Sequence, residues 1–425
     1  MSFRRFKPSV FLINVGLFII VGCVFTYELI RALLADRWYM SAVFLGGAMI
    51  TAGAVLSRRK ATYGRKKMLP WILVGVLSLV RNAELRHGTY NTELLFLLYL
   101  WIAIVLSGIS GWQDKLKKYT VMWGSLHVAA TIIFFIFRGS YAVMVNLWGR
   151  YPTGTNKGLT GYCAGITTHY SQNATYIVIL FLVLACTYIV KPKKMRTKRE
   201  AFAIAITLVA LMLTAKRAHL CFGVLAVVFV YYLVNPEKRG NKLFKVIAAM
   251  GGAVTILAVM YEIMPEVFQT VLGRFVDGGY GDITSGRIPM WMLAVDLFKG
   301  SPIFGIGWSG YRYSYALNLF SGYAGRSEFL NTHNVYLQLL CEVGIVGTLI
   351  VTGALYSFMR NALILNKHCE VNDSGKRIDI AVSVGMGVFF IFYSVTGCCL
   401  YDLTFHMFIL IAAMIMPYRK NEVRR

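Results

Sequence analysis

Charged residues are scarce in this sequence, and acidic residues are scarcest. Only 15% of the 425 residues are charged, and 19 acidic side chains stand against 44 basic ones. Hydrophobic residues make up 57% of the chain, and its mean hydropathy is +0.60. A water-soluble domain of this length needs many charged helix faces, so the composition excludes one. Apolar runs of about 18 or more residues can cross about 30 Å of hydrocarbon as helices, which predicts an all-α polytopic membrane protein.

Several chemical signatures are also missing. The sequence contains no P-loop, no Gly-rich dinucleotide fingerprint and no His-Glu metalloprotease helix. The eight cysteines show neither metal-ligand spacing nor a secreted disulfide framework. No small-residue cleavage site follows the first apolar run, so no cleavable signal is expected. We therefore expect no cofactor and no bound metal.

The apolar runs predict about twelve transmembrane helices in a single integral membrane domain over residues 1–425. Basic clusters such as Arg58 to Lys67 and Lys191 to Arg199 fall in alternate loops, which the positive-inside rule assigns to the cytoplasm. Both termini are then cytoplasmic, in an inner or plasma membrane. The net charge of +25 is thus a topology signal, and no nucleic-acid partner is expected. A large outer loop over 264–331 separates predicted helix nine (246–263) from helix ten (332–358).

A short helix is predicted inside this outer loop, over Ser285–Gly300. Apolar residues recur at three- and four-residue spacing and form one stripe: Ile288, Trp291, Met292, Val295 and Phe298. Pro289 suits the first turn of the helix, and Gly300 with Pro302 ends it. Such a helix either lies in the membrane interface or merely covers the bundle.

The segment from Gly286 to Gly347 combines Arg, His, aromatic and Gly residues between two long apolar runs. Arg287 is followed by Trp291. A Ser-Pro-Ile-Phe-Gly-Ile-Gly-Trp turn occupies 301–308, and Thr-His-Asn at 332–334 heads a predicted membrane helix. In this order the motifs resemble the O-antigen ligase/polymerase superfamily. That resemblance implies an enzyme that moves a glycan from undecaprenyl pyrophosphate to an acceptor hydroxyl on the outer face.

The match to the family pattern is uneven. His333 and Gly344 meet the family spacing of a His and a Gly with ten residues between them. The spacing of an Arg and a Gly with fifteen residues between them is not met from Arg287, because Gly305 comes two residues late. Family members also carry a Ser-Arg-Gly-like motif where this chain has Lys216 and Arg217 before an alanine.

Glycosyl transfer from a pyrophosphate needs a base for the acceptor hydroxyl and cations for the departing phosphates. His has a pKa near neutrality, and Arg binds phosphate with a planar fork that keeps its charge. With the resemblance, this assigns His333 as the base and Arg217 and Arg287 as the pyrophosphate clamp. The remaining candidates for substrate binding are Lys216, Asn334, His169 and Trp308.

Each assignment has a simpler alternative. Arg217 also suits a side chain that anchors a helix at the interface, and a His at a helix start is often a solvated or capping residue. Asp277 and Asp282 form a weak metal candidate, for which a plain surface turn is the favoured interpretation. A polymerase is weakly favoured over a ligase. A glycan flippase and a non-catalytic assembly partner are the other classes, although charges at the membrane boundary and the lack of a repeat favour the enzyme.

Overall fold

The chain is seen here as a computed structural model, which describes residues 7–57, 62–87, 91–137, 139, 141–148, 162–235, 240–245, 262, 286–317, 330–370 and 373–419. Over these residues it is helical, with no β-strand. The α-helices are α1 (Pro8–Phe25), α2 (Tyr27–Val55), α3 (Thr62–Lys67), α4 (Leu69–Leu79), α5 (Ala83–His87), α6 (Asn91–Ser107), α7 (Gln113–Ile136), α8 (Tyr141–Trp148), α9 (Tyr170–Val190), α10 (Lys198–Leu213), α11 (Arg217–Leu233), α12 (Ile288–Gly300), α13 (Gly310–Leu317), α14 (Val335–Lys367), α15 (Ser374–Tyr393) and α16 (Leu403–Ala413). The predicted all-α class is confirmed.

Five helices of the described residues are long and apolar enough to cross a membrane: Pro8–Phe25, Arg37–Val55, Gln113–Ile136, Tyr170–Val190 and Val335–Lys367. The predicted count of about twelve is not confirmed. Helices α4 and α16 have 11 residues each, which at about 1.5 Å per residue is too short to span the hydrocarbon. Predicted helix nine and most of the outer loop lie outside the described residues.

Three helices depart from the limits that their apolar runs predict. Helix α14 continues to Lys367, where the sequence predicts an end near 358, and α7 begins at Gln113, six residues before the start predicted at 119. The first helix, predicted over 9–34 with an outer turn at 36–38, ends at Phe25, and that turn lies inside α2. The Thr26 hydroxyl donates to the carbonyl of Gly22 (2.7 Å), which closes α1 early. The two helices then pack tightly, because a Cβ on Gly16 would lie 2.7 Å from the Gly46 carbonyl oxygen.

Two helices form the centre of the bundle. Helix α9 packs against α7, α10, α11 and α15, and most of its residues are buried. Every residue of α16 is buried, with α6 and α15 packed against it. Because both helices are enclosed by protein, their apolar surfaces stabilise the bundle itself.

One end of the bundle collects the segments that carry the predicted site residues. These are the α10–α11 turn at 214–216, the start of α12, the stretch before α14 and the 394–402 connection from α15 to α16. We call this end the site end. The Val335 amide donates to the Ser394 carbonyl (2.8 Å), and the Trp291 indole donates to the Thr332 carbonyl (3.0 Å). These bonds join three of the four segments.

Candidate functional site

His333 lies in a tight turn just before α14. Its φ is +55°, a left-handed conformation that is uncommon for a residue with a side chain. The Thr332 hydroxyl holds the turn by accepting from the Asn334 amide (3.0 Å) and donating to the Asn334 carbonyl (2.6 Å). The imidazole Nδ1 is 3.6 Å from the sulfur of Cys398. Backbone strain of this kind is often found at functional sites, where surrounding contacts hold it in place.

Three positive or protonatable groups surround His333. Burial first, and then the charges of Arg287, Lys216 and His169, lower the pKa of His333 from its ordinary 6.5 to about 3. The imidazole is therefore neutral at physiological pH. The charges of Arg287 and Lys216 favour an anion beside this imidazole.

Arg287 reaches this cluster from the residue before α12. Its Nη1 donates to the carbonyl of Thr396 at 2.9 Å, which ties it to the α15–α16 connection. The helix that follows ends at Gly300 as predicted, but it begins at Ile288, three residues after the predicted start at 285, with Pro289 in its first turn. Its buried residues are Leu293 and Ala294, while Ile288, Met292 and Val295 of the predicted stripe are exposed. That part of the stripe faces away from the protein, as a helix at a lipid interface would require.

Lys216 and His169 both contact the ring of Tyr170. The Lys216 ammonium is 4.7 Å from the centroid of the Tyr170 ring, on which the His169 ring stacks at 4.5 Å. The His169 Nδ1 also accepts from the Ser171 amide (3.0 Å) and caps α9. Lys216 follows Ala215, another left-handed residue with φ +53°. The turn between α10 and α11 spans only residues 214–216, as the short junction between the two apolar runs predicts. It brings Lys216 to the site end.

The other predicted residues hold different positions. Arg217 is half-buried as the first residue of α11, next to Lys216. Asn334 is the N-cap of α14, where its side chain accepts from the Leu337 amide (3.1 Å). From the sequence, Thr332 or Asn331 also suits the N-cap of this helix, but the helix begins at Val335 and Thr332 holds the preceding turn instead.

Trp308 is buried, with only 2% of its surface exposed. Its ring lies between Phe96 and Tyr401, at centroid distances of 5.4 and 5.5 Å. Its carbonyl accepts from the amide of Ala83 (2.9 Å). Trp308 is therefore packed into the bundle beside the site end. It is not one of the exposed aromatic residues that line a membrane–water interface.

The glycine motif docks on a break in α14. Gly344 has φ +65° and ψ −168°, which interrupts the helix. The amide of Ile345 then donates to the Pro302 carbonyl (2.9 Å), and the amide of Gly307 donates to the Glu342 carbonyl (2.7 Å). The 302–307 loop thus satisfies the backbone groups that the break releases.

Three glycines allow this docking. A Cβ on Gly344 would lie 2.2 Å from the Ile303 oxygen, and one on Gly305 would lie 2.3 Å from the Glu342 oxygen. A Cβ on Gly307 would lie 2.1 Å from the Arg81 oxygen. All three also have positive φ. Both the close approach and the conformation require glycine.

Glu342, which the sequence reasoning did not single out, connects these parts. It is fully buried and accepts four hydrogen bonds: from the amides of Ser309 (2.9 Å) and Tyr311 (3.1 Å), the side-chain amide of Gln338 (3.0 Å) and the hydroxyl of Tyr401 (2.7 Å). Because all four partners donate, the geometry suits an ionised carboxylate. An acidic residue inside an apolar helix was the signal in the sequence that pointed to it.

The described residues do not form a recognisable metal site. No group of three or more His, Cys, Asp or Glu side chains with metal-binding geometry occurs in the described part of the chain. The weak candidate pair, Asp277 and Asp282, lies outside it. Arg287 and Lys216 are the cations whose charges act on His333.

Taken together, the fold and site define a multi-pass helical membrane protein with a neutral histidine among cations. Residues 202–352 match the family model described as O-antigen ligase (Wzy_C). The chain is also 27% identical over 150 residues to the exopolysaccharide production protein ExoQ of Rhizobium meliloti (strain 1021). This match spans 34% of the chain and 32% of ExoQ. The two matches support the O-antigen ligase/polymerase superfamily as the family of this chain, in agreement with the motifs of Gly286 to Gly347.

Proposed function

We propose that this chain is a membrane glycosyl-transfer enzyme of surface polysaccharide biosynthesis. It moves a glycan from undecaprenyl pyrophosphate to an acceptor hydroxyl, with the reaction on the extracytoplasmic face. The observation that carries the proposal is the cluster of His333 with Arg287, Lys216 and His169 at one end of the bundle. A neutral imidazole supplies a base, and the surrounding positive charge suits a pyrophosphate.

In the proposed reaction, the acceptor oxygen attacks the anomeric carbon of the carrier-linked sugar. A new carbon–oxygen bond forms there, and the bond from that carbon to the phosphate oxygen breaks. The acceptor proton passes to the imidazole of His333 and then to solvent. Arg287 and Arg217 hold the pyrophosphate and balance the charge that it gains, with Lys216 as a third cation.

The low pKa of His333 gives the donor a second role. In the free protein, burial and, to a smaller extent, the charges of Arg287 and Lys216 make the imidazole a weak base. A bound pyrophosphate offsets those charges, so the pKa of His333 rises when the donor is in place. The base is then strongest when there is a substrate to act on.

The proposal assigns charge balance to Arg and Lys without metal or nucleotide. It keeps the polymerase, whose acceptor is another carrier-linked glycan, ahead of the ligase. The relation to a protein named for exopolysaccharide production supports a role in surface polysaccharide biosynthesis. A transporter would move the carrier-linked glycan across the membrane and leave its covalent structure unchanged.

The test uses the purified protein in lipid nanodiscs with the carrier-linked glycan that accumulates in source cells lacking this chain. Products are resolved by gel and mass spectrometry, with and without EDTA. We expect His333→Gln to reduce product formation by about 10²-fold or more, the range of general-base catalysis. His368→Gln, an exposed histidine at the other end of α14, is the matched control and should retain full activity. Normal turnover by His333→Gln would refute the assignment of the base. If the protein in sealed proteoliposomes moves intact carrier-linked glycan across the bilayer and forms no product, the transporter is favoured.

A further inference from the structure

The connection from α15 to α16, residues 394–402, makes a contact with the proposed base that the proposed mechanism does not use. The sulfur of Cys398 lies 3.6 Å from Nδ1 of His333, close enough for a hydrogen bond to sulfur. Among the residues that the structure describes, the other ring nitrogen of His333, Nε2, has no hydrogen-bond partner. One edge of the imidazole is therefore held by Cys398, and the other edge is left for a substrate.

The same connection also holds the other parts of the cluster in place. Arg287 Nη1 donates to the Thr396 carbonyl at 2.9 Å, and the Val335 amide donates to the Ser394 carbonyl at 2.8 Å. One of the cations and the start of α14 are thus fixed on the segment that carries Cys398. Bonds to the backbone therefore support the position of the Cys398 sulfur relative to the His333 turn.

Cys398 does not suit the role of a nucleophile with His333 as its base. Burial first, and then the charge of Asp402, raise the pKa of the Cys398 thiol to about 12. The charges of Arg287 and Arg312 act in the opposite direction but are outweighed. A reactive cysteine needs a lowered pKa, because the thiolate is the nucleophile. The thiol is therefore neutral at physiological pH, and its contact with the imidazole joins two neutral groups.

Two groups of His333 approach the same sulfur atom. Besides the ring, the backbone N–H of His333 bonds to the Cys398 thiol, and a backbone N–H can only donate. The sulfur therefore acts as an acceptor on the side that faces His333. The negative charge of Asp402 attracts the hydrogen of the thiol, which also leaves the sulfur lone pairs for His333. This arrangement favours a hydrogen on Nδ1 as the donor in the 3.6 Å contact.

A neutral imidazole carries one hydrogen, on Nδ1 or on Nε2, and the partner of one nitrogen decides which nitrogen holds it. We propose that Cys398 is a positioning residue, whose sulfur accepts from Nδ1 of His333 and leaves Nε2 to take the proton of the acceptor hydroxyl. With its hydrogen on Nε2, the ring would present a donor to that hydroxyl and could not serve as the base. The catalytic part of this inference rests on the proposed function, since it requires His333 to be the base.

Solid-state nitrogen NMR of the protein in liposomes, with isotope-labelled histidine, measures which nitrogen carries the hydrogen. A ring nitrogen with a hydrogen and one without resonate far apart, and the signals of His333 are those missing from His333→Gln. We expect the hydrogen on Nδ1 in the wild type and in Cys398→Ser, whose hydroxyl also accepts. In Cys398→Ala, which offers no acceptor, we expect a signal from hydrogen on Nε2 to appear.

Cys399→Ala is the matched control. It removes the neighbouring buried thiol of the same connection, whose sulfur lies 2.8 Å from the Ser394 hydroxyl, and it should keep the His333 hydrogen on Nδ1. A wild-type spectrum with the hydrogen on Nε2 overturns the inference without any variant, so the test does not depend on the folding of Cys398→Ala. An unchanged spectrum in folded Cys398→Ala, or an equal change in Cys399→Ala, also overturns it.

Turnover separates this role from the proposed function. We expect Cys398→Ala to lower kcat about tenfold or more, the range seen when the orienting partner of a metal-bound histidine is lost. KM should stay unchanged, because the thiol contacts the base and not the substrate. Cys398→Ser should recover most of the loss, and adding Cys398→Ala to His333→Gln should cost nothing further. Full turnover by Cys398→Ala overturns the catalytic role of Cys398 alone, whereas full turnover by His333→Gln defeats the proposed function and leaves the NMR result standing.

Discussion

Replacing Glu342 with Gln tests whether this carboxylate holds the site end together. Its two oxygens each accept two hydrogen bonds: Oε2 from the Ser309 amide and the Tyr401 hydroxyl, and Oε1 from the Tyr311 amide and the Gln338 side chain. A glutamine places an NH₂ group where one of these oxygens was. If the NH₂ group replaces Oε2, it faces the backbone N–H of Ser309. If it replaces Oε1, it faces the backbone N–H of Tyr311.

The cost follows from that mismatch. Tyr401 can rotate its hydroxyl, but a backbone N–H cannot turn away. Gln338 is also held, because its oxygen accepts from the Thr332 amide (3.2 Å) and its nitrogen donates to Asn331 (2.9 Å). One unpaired buried donor costs about 1–3 kcal/mol, and the remaining bonds lose the extra strength that a charge gives them. We expect Glu342→Gln to lower the free energy of unfolding by about 2–4 kcal/mol.

Reversible unfolding in mixed detergent micelles, followed by tryptophan fluorescence, measures this change. Trp308 lies beside Tyr401 and reports on the affected region. Glu370→Gln, an exposed change, should stay within about 0.5 kcal/mol of the wild type. If the two variants are equally stable, Glu342 does not join the loop to the helix in the way the structure describes.

Two further predictions concern the break in α14 at Gly344 and the turn before α14 that holds His333. Gly344→Ala should reduce the yield of folded protein sharply, because a left-handed alanine costs roughly 1–2 kcal/mol and its Cβ meets the Ile303 oxygen. Gly353→Ala, in the same helix with open space around it, should be neutral or slightly stabilising, and equal yields would contradict the argument. Since the pKa of His333 is lowered to about 3 in the folded protein, its contribution to stability is present above pH 6.5 and is lost as the pH falls towards 3. His333→Gln should flatten this part of the stability–pH curve, measured by thermal unfolding between pH 7 and 4, and a curve identical to the wild type would count against the low pKa.

Much of the fold was predictable from the apolar runs. Helices α6 and α9 begin and end within four residues of the limits that their apolar runs predict, 92–107 and 174–190. The length of the apolar run alone determines such helices. The number of membrane-spanning helices was not predictable, since α4 and α16 are apolar yet too short to span the bilayer. An apolar run signals burial, and burial inside a bundle resembles burial in lipid.

The candidate site was predictable in part. Motif order pointed to His333 and Arg287, and the structure places them in one cluster with Lys216 and His169. The break at Gly344 was not predictable, because glycines are common in membrane helices and do not show from the sequence whether the helix continues or breaks there. The N-cap at Asn334 was also missed, since neighbouring Thr and Asn side chains suit that position equally well.

The break at Gly344 also solves a problem of length. As one rod, the 33 residues of α14 would measure about 50 Å, far more than the hydrocarbon layer of about 30 Å. The piece after the break, 345–367, measures roughly 35 Å and fits that layer with a modest tilt. The shorter piece before it can then stand in the polar layer, where the phosphates of lipids lie. A single glycine thus sets the depth at which the imidazole of His333 lies.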